Sequence, residues 1–331
     1  MSVEVVPCTW RALPAWRVVG EHLEVVITQI GGHLASLRRR GEDLDPLWQP
    51  PWPGADPASL DAAGLEAYGG PVAGPLLATI VGSNLCCDRF GGPHPGEDKP
   101  AHGETCRTTF ERVADSTVDI AVLGWLPTAA LAVRRSVTLE GETCRLSTTV
   151  SHHGGAARAI EWCEHTNVGG GFLEGVTFTA PVDLVMASSV RDDGERFAPG
   201  PAGLPLSMSA ALAYPAPDAA PCGDVLGARL AQTTGSGQWV AENRRLGRRL
   251  SCTFMHADWP WLALWTQHHS RTAAPWAGVT RVRGMELSTK PFPESDVPPE
   301  RSATYCGRTT TCLIPPGAGM TKTLAFTWTA D

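Results

Sequence analysis

Three short stretches of the chain gather side chains able to move protons: Pro100-Ala101-His102-Gly103-Glu104, Glu161-Trp162-Cys163-Glu164-His165-Thr166-Asn167-Val168-Gly169 and Gly284-Met285-Glu286-Leu287-Ser288-Thr289-Lys290-Pro291-Phe292-Pro293. Each places an imidazole or a carboxyl beside glycine or threonine in strand-like surroundings. These two groups suit general acid–base catalysis because burial and neighbouring charge can bring their pKa values near working pH. Taken singly, each also has a plainer reading. His102 and His165 could be hydrogen-bonded structural histidines, and Glu286 a salt-bridged strand residue. Glu164 would point to the opposite face from His165 in an extended segment, which makes it a poor direct partner. The pairs His152-His153 and His268-His269 alternate faces in the same way, so neither readily chelates one ion, and both read as surface.

The elements that must position these groups read as strands. The 35 Gly and 28 Pro are spread along the chain and leave little room for long helices. Leu131, Val133, Arg135, Val137 and Leu139 alternate with polar or small residues, as do Cys144, Leu146, Thr148 and Val150. Glu140-Gly141-Glu142 between them marks a turn, so residues 131–150 form the clearest hairpin. Leu23–Ile30, Val176–Val185, Trp261–Gln267 and Lys322–Thr329 are further strand candidates, with Leu324, Phe326 and Trp328 on one buried face. Residues 58–67 read as a short helix and Ala210–Leu212 as a turn of one. The Pro-, Ala- and Gly-rich residues 198–223 read as a long surface connection. Many strands, frequent turn signals and no fixed-period repeat predict an all-β sandwich or barrel, with residues 1–331 as a single domain.

In this order, a His-Gly after a Gly/Pro-rich loop, a central His-Thr-Asn with Gly following, and a late Gly-x-Glu-x-x-Thr resemble the aldose 1-epimerase (galactose mutarotase-like) family. Gly31-Gly32-His33-Leu34-Ala35-Ser36-Leu37 is similar to the family's early strand pair, and Asp45-Pro46-Leu47-Trp48 to the end of that hairpin. Trp259-Pro260-Trp261-Leu262-Ala263-Leu264-Trp265-Thr266-Gln267 resembles the strand before the late Glu in divergent members. The resemblance covers the chain from about residue 20 onward and implies a large twisted antiparallel β-sandwich (supersandwich) with a sugar bound on one sheet face. It implies Glu286 as general base, His165 as general acid and His102 as the second active-site histidine. In place of the family's Gly-Arg-x-x-x-Arg the chain has Gly82-Ser83-Asn84-Leu85-Cys86-Cys87-Asp88-Arg89, so Arg89 and Asn84 are the expected substrate contacts there. Of 12 Trp, Trp265 and Trp276 are the candidates to stack on a sugar ring.

The implied reaction opens the ring of an aldose and recloses it on the other face, which requires neither a metal nor an organic cofactor. Two further readings stay open: an epimerase of a phosphorylated or acidic sugar, and a carbohydrate-binding protein without catalysis. A lyase or hydrolase would want a Tyr base or a carboxylate pair, and Tyr68, Tyr214 and Tyr305 sit in no such motif.

Bulk properties narrow the partners. A formal net charge of −7 disfavours a nucleic-acid backbone as partner. The clusters Arg38–Arg40 and Arg244, Arg245, Arg248, Arg249 read as solvated faces. The first twenty residues lack the basic start and apolar run of a signal peptide, and Asp119–Val133, the most apolar stretch, is too short to cross a bilayer. A cytoplasmic protein with no membrane or nucleic-acid partner is expected. The ten cysteines show no disulfide framework and no Cys-x-x-Cys, so they read as small buried hydrophobes.

Overall fold

The computed structural model describes residues 3–188, 195–197, 205–293 and 304–330. In chain order the elements are β1 (Glu4–Trp10), β2 (Leu13–Val19), β3 (Leu23–Thr28), β4 (Leu34–Arg39), α1 (Ala62–Ala67), α2 (Gly70–Thr79), β5 (Ser83–Asp88), β6 (Phe110–Val113), β7 (Ile120–Leu126), β8 (Leu131–Glu140), β9 (Thr143–His152), β10 (Arg158–Gly169), β11 (Thr177–Thr179), β12 (Val182–Ala187), α3 (Met208–Leu212), β13 (Cys222–Leu230), β14 (Ser236–Asn243), β15 (Arg248–Met255), β16 (Trp261–His268), β17 (Arg281–Ser288), β18 (Thr304–Tyr305), β19 (Arg308–Thr309), β20 (Cys312–Ile314) and β21 (Gly319–Ala330).

The larger sheet runs β1-β2-β3-β4-β5-β10-β17-β16-β13-β12, with β20 paired to the start of β10. The smaller runs β11-β14-β15-β21-β9-β8-β7-β6. All these ladders are antiparallel, so the fold is an all-β sandwich. Its two inner faces share one core, drawn from β2 and β3 through Trp162 and Leu264 to Leu324, Phe326 and Trp328. Alternation produces this arrangement directly. On β21 the even-numbered Leu324, Phe326 and Trp328 turn inward, while Thr321, Thr323 and Thr327 turn outward. There they meet Thr149, Ser147 and Thr143 of β9 through hydroxyl pairs of 2.8–2.9 Å. Pairs of this kind contribute about 0.2–1 kcal/mol each.

The hairpin of residues 131–150 is present as β8 and β9, in register from Leu131↔His152 to Glu140↔Thr143. Val176–Val185 is not one strand. It divides at Pro181 into β11 in the smaller sheet and β12 in the larger, because proline has no N–H to continue a ladder and the chain changes sheets there. In the connection 198–223, residues 198–204 lie outside the described residues, and 205–221 are mostly exposed around α3. His152 and His268 differ from the surface reading: both are buried, while their neighbours His153 and His269 face outward or half outward. The arginine clusters are solvated as expected and each ion-pairs: Arg38 with Glu24, Arg39 with Glu42 and Glu142, Arg248 with Glu42, Arg244 with Glu242.

β10 is buried along both faces. Its even-numbered side chains enter the sandwich core, where Glu164 accepts from Arg135 Nη2 (2.7 Å) and Thr148 Oγ1 (2.8 Å) of the opposite sheet. Its odd-numbered side chains, Glu161, Cys163, His165 and Asn167, emerge on the outer face of the larger sheet beneath α2 and the loop after β5. Among the described residues no helix is long and apolar enough to cross a membrane.

Candidate active site

Strand register brings the two ends of the proton-transfer pair together. His165 on β10 lies directly opposite Glu286 on β17, and on its other side opposite Asn84 on β5. Direct partners on one sheet face lie close enough for side chains to meet, and His165 Nε2 is 3.2 Å from Glu286 Oε1. The approach is out of line for a hydrogen bond, so Glu286 Oε1 is left without a partner. Gly284, two residues earlier on the same face, makes this pose possible: a Cβ there would strike Glu286 Oε1 and press on Trp265 Cβ at 3.0 Å. The Gly-x-Glu spacing is therefore a steric requirement of the carboxyl's position.

His102 arrives from the loop after β5. Its own φ is +62°, a left-handed conformation uncommon outside glycine. Gly103 follows at φ +81°, with its α-carbon packed against the Cys87 carbonyl where no side chain would fit. Gly91 brackets the histidine: its carbonyl accepts from His102 N (2.6 Å) and its N–H donates to Nδ1 (3.3 Å). With Nδ1 accepting, neutral His102 carries its proton on Nε2 and offers that N–H as a donor. The His165 ring is boxed by His102 (5.3 Å between centroids, near-perpendicular), Trp265 (5.7 Å) and Phe90 (6.5 Å).

These groups line a hollow of about 460 Å³, the open space at its mouth included. Leu76, Leu77, Ile80, Val225, Trp276 and Arg271 complete much of the wall. Trp265 and Trp276 belong to a cluster with Trp48 and Trp52, with ring centroids 4.8–6.3 Å apart, and the Arg271 guanidinium sits over both lining rings at 5.4 and 4.9 Å.

Burial dominates the electrostatics. It holds the Glu286 carboxyl well above the ordinary carboxylate range, helped by the Cys86 thiol and opposed by Arg283. Burial, with the neighbouring His102, pushes His165 well below the usual imidazole value. Both shifts favour the proton on the carboxyl beside a neutral imidazole. Glu164 points into the core as expected and does not face His165, and Glu286, which does, is itself held protonated by burial. The pair thus rests in the opposite sense from the roles that the resemblance implies.

Asn84 and Arg89 do not line the hollow. Asn84 is fully buried beneath it, accepting from Asn167 Nδ2 at 3.2 Å and donating to Cys86 Sγ at 3.7 Å. Arg89 is consumed by Glu97, to which Nε donates at 2.7 Å, and by the Asp88 carbonyl at 2.8 Å. It belongs to a buried charge network that ties the loop down: Lys99 donates to both Asp88 oxygens (3.0 and 2.8 Å), and Glu161 accepts from Lys290 (2.8 Å) and from the Phe90 N–H (2.9 Å). Sequence reasoning missed Phe90, Arg271, Val225 and the apolar residues of α2. Phe90, next to Arg89 in the Gly-rich loop, was the one with a local signal.

No protein-family model and no curated protein matches the sequence. Solved structures do. A candidate aldose 1-epimerase from Klebsiella pneumoniae superposes with a TM-score of 0.67 at 17% identity, over 97% of this chain and 80% of that one. A galactose mutarotase-like protein from Clostridium acetobutylicum gives 0.63 at 11%, over 99% of each chain. Another from Lactobacillus casei gives 0.58 at 12%, over 98% and 100%. The fold is galactose mutarotase-like. Identities this low establish the architecture alone. Within the galactose mutarotase-like fold, His102, His165, Glu286 and Trp265 converge on one hollow, whereas Arg89 and Asn84 stand behind its wall.

Proposed function

We propose that the chain is an aldose 1-epimerase that interconverts sugar anomers by acid–base ring opening at Glu286 and His165. The observation carrying this reading is the pair itself: a carboxyl and an imidazole 3.2 Å apart on the wall of an open hollow with an aromatic side. Whichever member lacks the proton takes it from the anomeric hydroxyl, while the other delivers its proton to the ring oxygen. The C1–O5 bond breaks as C1=O1 forms. Rotation about C1–C2 presents the other carbonyl face, and reclosure runs both transfers backward and restores the pair. Each positioned transfer is worth about 10²- to 10⁴-fold. The His102 Nε2–H donates to the sugar oxygen that gains charge, and the Trp265 face takes the ring's C–H side.

A neutral sugar is favoured over a phosphorylated one. Among the described lining residues Arg271 is the one cation, and its guanidinium lies over Trp265 and Trp276, while Arg89 is held by Glu97.

The test follows the optical rotation of freshly dissolved single anomers with wild-type protein and with Glu286→Gln. Accelerated equilibration, lost in the variant, is expected. Sugar binding without acceleration for any sugar would instead make the chain a carbohydrate-binding protein.

A further inference from the structure

Among the described residues the polar side chains that line the hollow are few: Glu286, His165, His102 and Arg271. Glu286, His165 and His102 sit together on the sheet side, and these three can satisfy the anomeric oxygen, the ring oxygen and one adjacent hydroxyl. Among the described residues the facing wall is hydrocarbon at Leu76, Leu77 and Ile80 from α2 and its end and at Val225 from β13, while its charged group, the Arg271 guanidinium, lies over the Trp276 and Trp265 rings. The apolar residues belong to one packed cluster, and Val225 lies directly opposite Trp265 in the β13–β16 register. The main chain of this wall offers little instead, because α2 uses its own amides and carbonyls internally, including Ile80 N–H to Leu76 C=O at 2.7 Å. Thr79, the hydroxyl residue of the same helix, turns away and bonds to the Pro75 and Cys106 carbonyls. A hexose hydroxyl set against Leu77, Ile80 and Val225 would thus press on hydrocarbon, and a buried hydroxyl without a partner is disfavoured.

Resting on the anomer-interconversion reading, we propose that this hollow selects an aldose deoxygenated at the end remote from C1, a 6-deoxyhexose in its simplest form, over the corresponding hexose. The methyl group of such a sugar meets Leu77, Ile80 and Val225, while C1 and the ring oxygen meet the acid–base pair. The wall supplies discrimination by leaving the extra hydroxyl unbonded, an effect of about 10- to 100-fold.

Matched pairs of freshly dissolved single anomers isolate this difference: 6-deoxy-D-glucose with D-glucose, D-fucose with D-galactose, L-fucose with L-galactose, and L-rhamnose with L-mannose. Each is followed by polarimetry with the whole chain. In the pairs that are accelerated, kcat/KM for the deoxy sugar should exceed that of its parent about 10- to 100-fold. Val225→Thr, nearly the same shape with a hydroxyl added, should narrow that ratio by raising the rate of the parent hexose. Equal or faster turnover of the hexose overturns the selection while leaving the epimerase reading standing. A ratio unchanged by Val225→Thr overturns the assignment of this wall as the selector. Acceleration of none of the eight sugars overturns the epimerase reading and the selection with it.

Discussion

Glu286 and His165 are competent while together they hold one proton, and their shifts set when that is. Acid abolishes the state by charging His165, whose pKa is depressed; alkali abolishes it by ionising Glu286, whose pKa is raised. The acid limb of kcat/KM should therefore follow His165 and lie below the ordinary imidazole range, and the alkaline limb should follow Glu286 and lie above the ordinary carboxylate range. A pair working as ionised Glu and charged His with ordinary pKa values would instead lose activity as pH rises through the imidazole range, which a pH–rate profile distinguishes. The same burial carries a stability cost. Because the folded pKa of Glu286 lies above its unfolded value, its contribution is intact below the unfolded pKa and is lost as pH rises toward the folded one. Glu286→Gln should thus be inactive yet more stable than wild type near pH 8, with the advantage shrinking as pH falls and gone below pH 4, as read by denaturant titration. Gly284→Ala attacks the pose rather than the proton: the new methyl strikes the Glu286 carboxyl. A loss of about 100-fold or more in kcat/KM is expected, with the far-UV circular dichroism unchanged.

At the scale of elements, the loop between β5 and the His102 segment is seated by buried charge rather than by its own conformation. Glu161 is its anchor on β10, holding Lys290 and the Phe90 amide. Glu161→Ala removes the buried carboxylate that accepts from Lys290 and the Phe90 amide and should cost ~3 kcal/mol in thermal or denaturant unfolding. It should also lower kcat more than KM rises, since Phe90 and His102 lose their seat while the apolar wall remains. Strands were legible in the sequence where one face is buried and the other wet, as on β8, β9 and β21, because alternation records both. β10 and β17 do not alternate, being covered on both faces, and were found through their titratable residues instead. α2 was not legible. Its sequence, Gly-Pro-Val-Ala-Gly-Pro-Leu-Leu-Ala-Thr, carries three helix-disfavouring positions beyond Pro71 at its start, and packing of Leu76 and Leu77 against the tryptophans overrides that propensity. Arg89 and Asn84 had been expected to reach a sugar; what pulls each away is a partner distant in sequence or on the next strand, Glu97 and Asn167, which spacing alone does not reveal.

For the molecule as a whole, one apolar core joins both sheets, so the chain should unfold in a single transition with coincident probes. Trp328→Ala, at the centre of the smaller sheet's inner face, should lower stability by about 3–5 kcal/mol without moving the acid–base pair. The ten cysteines are free, and only Cys306 is exposed. A thiol reagent should therefore modify that residue first in the native state and all ten once the protein is denatured. The tryptophan cluster has a further consequence. Trp48, Trp52, Trp265 and Trp276 come from distant parts of the chain, yet their indoles are near enough for their excited states to couple, and two of them face the hollow. Occupancy should then register as a change in intrinsic fluorescence and near-ultraviolet dichroism, with no label and no turnover. The protein carries its own optical gauge of occupancy, which beside polarimetry tells a sugar that binds and reacts from one that only binds.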